Sequence, residues 1–115
     1  MEKIQKGMII KCTWNGMSDF YEVIGLTEKT VTLRELYFDF CEPQDDSNDP
    51  TYSWVKIYRD ENRKPIPATD FFGKEQIHCK RLIHKNGEVT FKSPNYNGVA
   101  KPIICESDYA KMYWG

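Results

Sequence analysis

Several cationic side chains and one aromatic ring fall within a single short stretch of the chain. Residues 77–96, IHCKRLIHKNGEVTFKSPNY, alternate apolar and polar side chains around Asn86-Gly87, which predicts a β-hairpin. Basic side chains bind phosphate, and an aromatic ring can stack on a base. The candidate nucleic-acid-binding residues are therefore Lys80, Arg81, Lys85, Lys92 and Tyr96. Neighbouring strand residues point to opposite faces, so we expect either Lys80 or Arg81 to pair with a carboxylate. A solvated sheet face explains the same pattern without a ligand.

Carboxylates form a second cluster, in the stretch that follows Leu36. Pro43 and Pro50 bracket QDDSND, and turn-forming residues dominate, so we predict a long acidic loop over residues 37–50. Carboxylates suit calcium, but Pro50 and Lys56 stand where an EF-hand counted from Asp45 needs glycine and glutamate. We therefore interpret the loop as a surface for a basic partner protein. Its candidate partner-binding residues are Glu42, Asp45, Asp46 and Asp49.

The cysteines give little indication of catalysis or metal binding. Cys12, Cys41, Cys79 and Cys105 lie 29, 38 and 26 residues apart, without a CxxC pair. His78 adjoins Cys79, but adjacent strand residues point to opposite faces. We expect reduced thiols, no metal and no cofactor. Motifs of hydrolases, P-loop nucleotide-binding proteins and zinc proteases are missing from the sequence, so we expect a protein that is not an enzyme.

Length and composition are those of a small globular domain. The chain has 115 residues, which predicts one domain over residues 1–115, and 14% are aromatic, enough to fill a small core. Sixteen basic and seventeen acidic residues exclude a polycation that coats nucleic acid by charge alone. The balance is uneven, with seven basic and eleven acidic residues in 1–60 but nine and six in 61–115. No apolar run is long enough for a membrane helix, and MEKIQKGMII lacks a signal-peptide core, so we expect a cytoplasmic protein without membrane contact.

Period-two hydrophobicity is the main structural signal along the chain. It predicts strands at Met8–Trp14, Asp19–Leu26, Thr30–Leu36, Thr51–Arg59, Ile77–Lys85, Glu88–Lys92 and Val99–Ile104. A helical turn or tight loop is predicted at 69–73, and one helical turn at 108–112, capped by Ser107. The predicted fold class is all-β, either a small SH3-like barrel or a bent antiparallel sheet, with a long acidic loop and at most two short helices. The predicted core comprises Ile10, Val23, Val31, Leu33, Val55, Ile57, Leu82 or Ile83, Val89 and Phe91.

Two resemblances add context to this pattern. The opening, with Lys6-Gly7 before a strand and Phe20-Tyr21 on the next one, resembles SH3-like barrels that bind peptides or nucleic acid. The chain also resembles a family of short uncharacterised proteins from phages, plasmids and other mobile elements. The matching residues are Trp14, Phe20, Tyr21 and Val23, then Val31, Leu33 and Arg34, then Lys80 and Arg81, and a closing Tyr113-Trp114-Gly115. This resemblance implies a mobile-element setting and no particular activity.

Three functions remain open from the sequence alone. The first is a non-catalytic accessory protein or inhibitor that contacts a host or element-encoded protein, in the manner of anti-CRISPR and anti-restriction proteins. The second is an SH3-like nucleic-acid-binding module that uses the basic hairpin. The third is a small-ligand binder. The first two differ in which charged surface they use, the acidic loop or the hairpin.

Overall fold

The computed structural model describes residues 4–14, 17–46, 51–68, 77–83, 85–86, 89–92, 99–100 and 103–113. All regular elements in these ranges are strands, so the prediction of an all-β chain is confirmed. In chain order they are β1 (Ile9–Trp14), β2 (Met17–Leu26), β3 (Thr30–Glu35), β4 (Phe38–Phe40), β5 (Tyr52–Ile57), β6 (Ile77–Ile83), β7 (Val89–Lys92), β8 (Val99–Ala100), β9 (Ile103–Cys105) and β10 (Tyr109–Tyr113).

The strands form two antiparallel sheets. The larger sheet has the order β8-β7-β6-β3-β2-β1-β9, and the smaller sheet has the order β10-β5-β4. The first three strands form the predicted meander, in which Ile10 pairs with Tyr21 and Val23 pairs with Leu33. β9 returns to the free side of β1, where Ile104 pairs with Ile10. β9, although late in the chain, therefore lies beside the first strand, at an edge of the larger sheet.

A bulge bends β2 near its end. Val23 pairs with Leu33 and Gly25 pairs with Thr32, so Ile24 is an extra residue on β2. A bulge increases the local twist and bends the strand. A Cβ on Gly25 would lie 3.2 Å from the Cβ of Thr32, which is a tight contact. Glycine at this position allows β2 and β3 to remain close through the bend.

Along β1 and β2 the larger sheet is buried on both faces, and each face belongs to a different core. One core lies on the face that carries Ile10, Tyr21 and Val23, and it includes residues from both ends of the sheet. This core therefore extends across the sheet from β7 to β9, on the inner side of its curve. Its buried members are Ile4, Ile10, Cys12, Tyr21, Val23, Val31, Leu33, Cys79 and Phe91. Each fully buried aliphatic or phenyl side chain contributes roughly 1.5–3 kcal/mol, so this cluster is a main source of stability.

The second core lies between the opposite face of the larger sheet and the smaller sheet. Its buried members are Ile9, Phe20, Leu36, Val55, Ile57 and Met112. Phe20 also meets Phe38 edge to face, with 4.9 Å between ring centroids. Ile9 lies on the same face of β1 as Lys11 and Thr13, opposite Ile10, as alternation along a strand requires. Ile9 is buried because β5 and β10 cover this face, which a strand pattern by itself does not reveal.

Most of the predicted core is confirmed. Ile10, Val23, Val31, Leu33, Val55, Ile57 and Phe91 are each fully buried. Thr32 and Arg34 alternate with Val31 and Leu33 on β3, and they are half-buried on its opposite, less covered face. The side chains of Leu82, Ile83 and Val89 lie outside the described part of the molecule. Period two therefore identified buried positions on β1, β2, β3, β5 and β7, whereas β4 and β10 were not predicted as strands.

Three predicted elements differ from the structure. The start of the predicted loop at 37–50 is the strand β4, which pairs with β5 because Phe38 packs into the second core. The predicted strand at 99–104 is two separate strands, β8 and β9, on opposite edges of the larger sheet. The predicted helical turn at 108–112 is wrong, since Tyr109–Tyr113 forms β10 and pairs with β5. The Asn15-Gly16 turn and the predicted turn at 69–73 lie outside the described residues.

Candidate functional site

The acidic residues divide between internal contacts and solvent. Glu42, Asp45 and Asp46 are exposed, whereas Asp49 lies outside the described residues. The carboxylate of Asp45 accepts a hydrogen bond from the Tyr52 hydroxyl at 3.3 Å and lies 3.5 Å from the Lys111 ammonium. Asp45 therefore contacts the smaller sheet of its own chain. In the predicted acidic surface, the carboxylates of Glu42 and Asp46 are exposed to solvent.

The predicted basic residues form a ribbon of lysines, from which Arg81 is separated. The β6–β7 hairpin is confirmed, and Arg81 pairs with Phe91. Continuing that register by one residue places Lys80 opposite Lys92, and both are exposed, as is Lys85 in the turn. We call Lys80, Lys85 and Lys92 the basic ribbon. Tyr96 lies outside the described residues.

Arg81 contacts the turn between β2 and β3. Its Nη1 donates to the Thr27 carbonyl at 2.9 Å, and its backbone N–H donates to the Lys29 carbonyl at 2.7 Å. Its Nε is buried and has no hydrogen-bond partner among the described residues. Arg81 is therefore the member of the Lys80/Arg81 pair that points inward. It binds a carbonyl oxygen rather than the carboxylate that we expected. Arg81 holds β6 to the turn and is not part of the basic ribbon.

The four cysteines are free thiols. Burial raises the pKa of Cys12 to about 12, with Cys79 as a second cause, and burial raises the pKa of Cys79 to about 11. Burial also raises the pKa of Cys105, although Lys11 opposes this effect. All three thiols are therefore protonated at neutral pH, and a neutral thiol is a poor nucleophile.

His78 is adjacent to Cys79 on β6, so this pair is the first place to look for a metal site. Cys79 is buried while its neighbour His78 is exposed and bonds the Thr32 hydroxyl at 3.0 Å, so the two point to opposite faces as expected. In the described ranges, no three side chains of the types His, Cys, Asp and Glu lie close enough together to hold a metal ion.

A groove lies between the edge strands of the two sheets, and we call it the edge groove. Its volume is about 420 Å³, within the size range of small-molecule and peptide sites. β9 ends the larger sheet and β10 ends the smaller one, so the groove runs between two strand edges. Ile103 is 54% exposed and Tyr109 is 37% exposed there. The main lining side chains are Lys11, Trp54, Ile103, Cys105, Tyr109 and Lys111.

Strand registers explain how these side chains come together. Ile103 pairs with Lys11 and Cys105 pairs with Ile9, so all four side chains lie on the face that meets the smaller sheet. On the smaller sheet, Lys111 pairs with Trp54. The groove is thus the open margin of the second core, where apolar side chains give way to lysines.

Lysines and aromatic rings alternate on the outer face of the smaller sheet. The Lys111 ammonium lies 4.5 Å from the centre of the Tyr52 ring and 5.4 Å from that of Trp54. The Lys56 ammonium lies 5.4 Å from the centres of both the Tyr58 and Tyr109 rings. Cation–π contacts of this kind are worth about 0.5–1 kcal/mol at exposed positions. They hold the lysine side chains against the sheet.

Lys111 remains fully charged in this setting. Desolvation lowers its pKa, but the contacts with Tyr52 and Asp45 raise it by more, so the pKa lies above its ordinary value. Lys11 adds a second cation, and its ammonium donates to the Lys111 carbonyl at 3.3 Å. Glu106 supplies one carboxylate to the lining. The edge groove therefore combines apolar and aromatic surface with two lysines and one carboxylate, and Asp45 is the ion-pair partner of Lys111.

The backbone of β10 has groups that face away from β5. Hydrogen-bonded and non-hydrogen-bonded pairs alternate along antiparallel strands. The Ile57 N–H donates to the Asp108 carbonyl at 2.8 Å, which makes that pair hydrogen-bonded. The pairs made by Tyr109 and Lys111 are then non-hydrogen-bonded, and their backbone groups point outward. Two of these groups are bonded by the chain itself, since Ser107 Oγ accepts from the Tyr109 N–H at 3.2 Å and Lys11 binds the Lys111 carbonyl.

The edge groove could not be predicted while residues 108–112 were interpreted as a helical turn. A usable signal was present, since Ala110 and Met112 alternate with Tyr109 and Lys111, which is typical of a strand with one apolar face. The predicted helix cap at Ser107 is wrong, because the element that follows is a strand, although Ser107 Oγ accepts a hydrogen bond from the Tyr109 N–H.

Searches of protein-family models, curated proteins and solved structures found no match to this chain. In the part of the chain that the structure describes, no helix has the length and apolarity to cross a membrane.

Proposed function

We propose that the protein is a non-catalytic binding protein that acts by protein–protein contact, with the edge groove as its contact site. The observation that carries this proposal is the meeting of two edge strands, β9 and β10, around exposed apolar side chains and charged lysines. Edge strands present backbone groups that pair readily with another chain. Recognition by strand addition uses such an edge together with side-chain pockets beside it.

The edge groove suits this role better than the acidic loop. Asp45, one of the predicted partner-binding residues, is held by Tyr52 and Lys111 of its own chain. Ile103, by contrast, is an apolar side chain that the larger sheet leaves exposed at its edge. Protein interfaces are enriched in aromatic residues at their centres, and Trp54 and Tyr109 line this groove. Glu42 and Asp46 remain a proposed secondary surface for basic groups of the partner.

The biological setting is proposed from the resemblance to mobile-element proteins. An accessory protein or inhibitor encoded on such an element works by binding a host or element-encoded protein, and a small rigid β-domain is sufficient for this. The SH3-like barrel is likewise our proposal for the curved larger sheet, supported by the β1–β3 meander and the core enclosed on one face.

Affinity capture from a lysate of the source organism tests the proposal. We expect a protein partner that survives nuclease treatment and is lost with Ile103→Asp. The matched control is Phe40→Ser on β4, because Phe40 is 52% exposed but lies on the opposite edge of the smaller sheet. A partner that is retained by Ile103→Asp, or lost equally with both variants, would contradict the groove as the contact site.

Nucleic-acid binding is a second candidate function, favoured by the pairing of two exposed lysines on the basic ribbon. Lys80 lies opposite Lys92, so two positive charges share one face of the hairpin. Binding to duplex DNA would then weaken with salt by a slope of roughly 0.9 per phosphate neutralised. Lys80→Gln with Lys92→Gln should lower that slope by about two. The control is Lys6→Gln with Lys64→Gln, and equal slopes for both double variants would exclude the ribbon as the binding surface.

A further inference from the structure

The outward edge of β10 retains two backbone groups for a partner. The Tyr109 N–H and the Lys111 carbonyl are bonded to Ser107 and Lys11, as described above. The Tyr109 carbonyl and the Lys111 N–H point to the same side, away from β5, and among the described strands β10 pairs with β5 alone. One residue of a parallel strand, through its own N–H and carbonyl, can reach both groups, as can two residues of an antiparallel strand. The edge of β10 can therefore pair with a short extended peptide, but it cannot form a long series of backbone hydrogen bonds.

The side chains around this edge indicate which peptide fits. Lys11 and Lys111 outnumber the single carboxylate of Glu106 in the lining. Lys111 already binds a carboxylate, that of Asp45, and the Tyr52 hydroxyl donates to the same group. Asp45 comes from a neighbouring segment of the chain, so it shows what the site binds when a carboxylate is within reach. Charge-assisted contacts of this kind are stronger than neutral hydrogen bonds.

From these two features we infer that the edge groove binds an extended acidic segment of the partner protein, which adds to β10 and replaces Asp45 at Lys111. This inference rests on the proposed function and specifies the partner's chemistry. The partner's backbone bonds the Tyr109 carbonyl and the Lys111 N–H. Its acidic side chain takes the Lys111 ammonium, and a neighbouring apolar side chain packs on Ile103. Asp45 is then an internal competitor that lowers the affinity for the partner.

Selection from a library of randomised short peptides on the immobilised full chain tests the partner chemistry. We expect the selected sequences to be enriched in aspartate and glutamate, and to bind wild type but not Ile103→Asp. Selected peptides without acidic residues that still depend on Ile103 would overturn this inference and leave the proposed function intact. If no selected peptide depends on Ile103, the inference is also overturned, and the lysate experiment decides the proposed function separately.

Changes in the selected peptide test the contacts without altering the protein. Fluorescence anisotropy of the labelled peptide gives the affinity. Replacing its acidic residue by the matching amide should weaken binding by about fivefold, and N-methylation of the paired backbone nitrogen by about tenfold. Equal affinities of the acidic and amide peptides would refute the role of Lys111. Unchanged affinity after N-methylation at each position in turn would refute strand addition.

The internal competitor has its own test. Asp45→Asn retains an oxygen for the Tyr52 hydroxyl but removes the charge that holds Lys111, so the selected peptide should bind about two- to fivefold more tightly, the range expected for an exposed ion pair. Asp46→Asn is the matched control, since Asp46 is exposed and adjacent. Equal tightening by both variants would show a general charge effect and refute the competition.

Discussion

Cys12 is a buried thiol whose environment disfavours its charged form. It packs with Tyr21 and Cys79 in the core on the curved face of the larger sheet, and burial raises its pKa to about 12. The unfolded chain releases this proton at an ordinary cysteine pKa, near 9. Between these two values the unfolded state binds fewer protons than the folded state, so stability falls as the pH rises. Below pH 9 the thiol is neutral in both states and has no effect on the pH dependence.

Cys12→Ala should therefore flatten the alkaline decline in stability. A single thiol with this shift contributes about 1.4 kcal/mol per pH unit between roughly pH 9 and 11. Urea unfolding followed at several pH values measures the slope, and the slope is independent of the cavity that alanine leaves. Cys41→Ala is the control, because Cys41 is less buried than Cys12 and should change the slope less. Identical slopes for wild type and Cys12→Ala would refute the buried-thiol account.

At the scale of single elements, neighbouring residues on β6 have opposite roles. Lys80 is exposed on the basic ribbon, whereas Arg81 points inward and binds the Thr27 carbonyl. The sequence predicts both the strand and the difference in direction, because period two follows from strand geometry. It does not predict the oxygen that Arg81 binds, since this depends on how β6 is placed against β3.

Arg81→Ala should destabilise the fold while Lys80→Ala should not. Hydrogen bonds from charged groups contribute about 1.5–3 kcal/mol, and partial exposure of Arg81 places the expected loss at the lower end of that range. Substitutions at exposed positions usually change stability by less than about 0.5 kcal/mol. Thermal and urea unfolding of both variants measure the difference. Equal stabilities would mean that the contact with the turn contributes nothing.

The edge groove shows where prediction from sequence ends. Tyr109 and Lys111 could be assigned to one face of a strand by alternation, but their meeting with Lys11 and Ile103 requires two long-range pairings. β9 must pair with β1, and β10 must pair with β5. Local patterns specify which face of a strand is apolar and do not specify its neighbours, so the individual strands could be predicted and the site between them could not.

At the scale of the whole molecule, the larger sheet contributes residues to two cores, one on each side of it. Leu33 belongs to the core on the curved face and is fully buried. Leu33→Asp should prevent folding, because an unpaired buried carboxylate costs several kcal/mol. Thr30→Asp on the same strand is the control, since Thr30 pairs with the exposed Lys80 and should retain the fold. Circular dichroism and melting curves distinguish them, and cooperative melting of Leu33→Asp would contradict the assignment of the core.

The smaller sheet should loosen separately from the larger one. Phe38→Ala removes the ring that meets Phe20, at a cost of about 2 kcal/mol for a half-buried phenyl group. Amide hydrogen exchange should accelerate in β4 and β5 while β3 and β6 remain protected. Phe40→Ala, on the same strand with a more exposed ring, is the control and should have a smaller effect. Uniform acceleration in all four strands would show that the two sheets unfold as one unit.

Burial of β1 and β2 on both faces also limits how this chain can vary during evolution. Ile9 and Ile10 serve different cores, as do Phe20 and Tyr21, so neither residue of either pair is free to become polar. On β3, by contrast, Val31 and Leu33 are constrained while Thr32 and Arg34 between them are less buried. Saturation mutagenesis with selection for folded protein should therefore show tolerance at every second position of β3, but at neither position of the pairs Ile9-Ile10 and Phe20-Tyr21. Substitutions should accumulate unevenly, with β1 and β2 the slowest-changing part of the sequence.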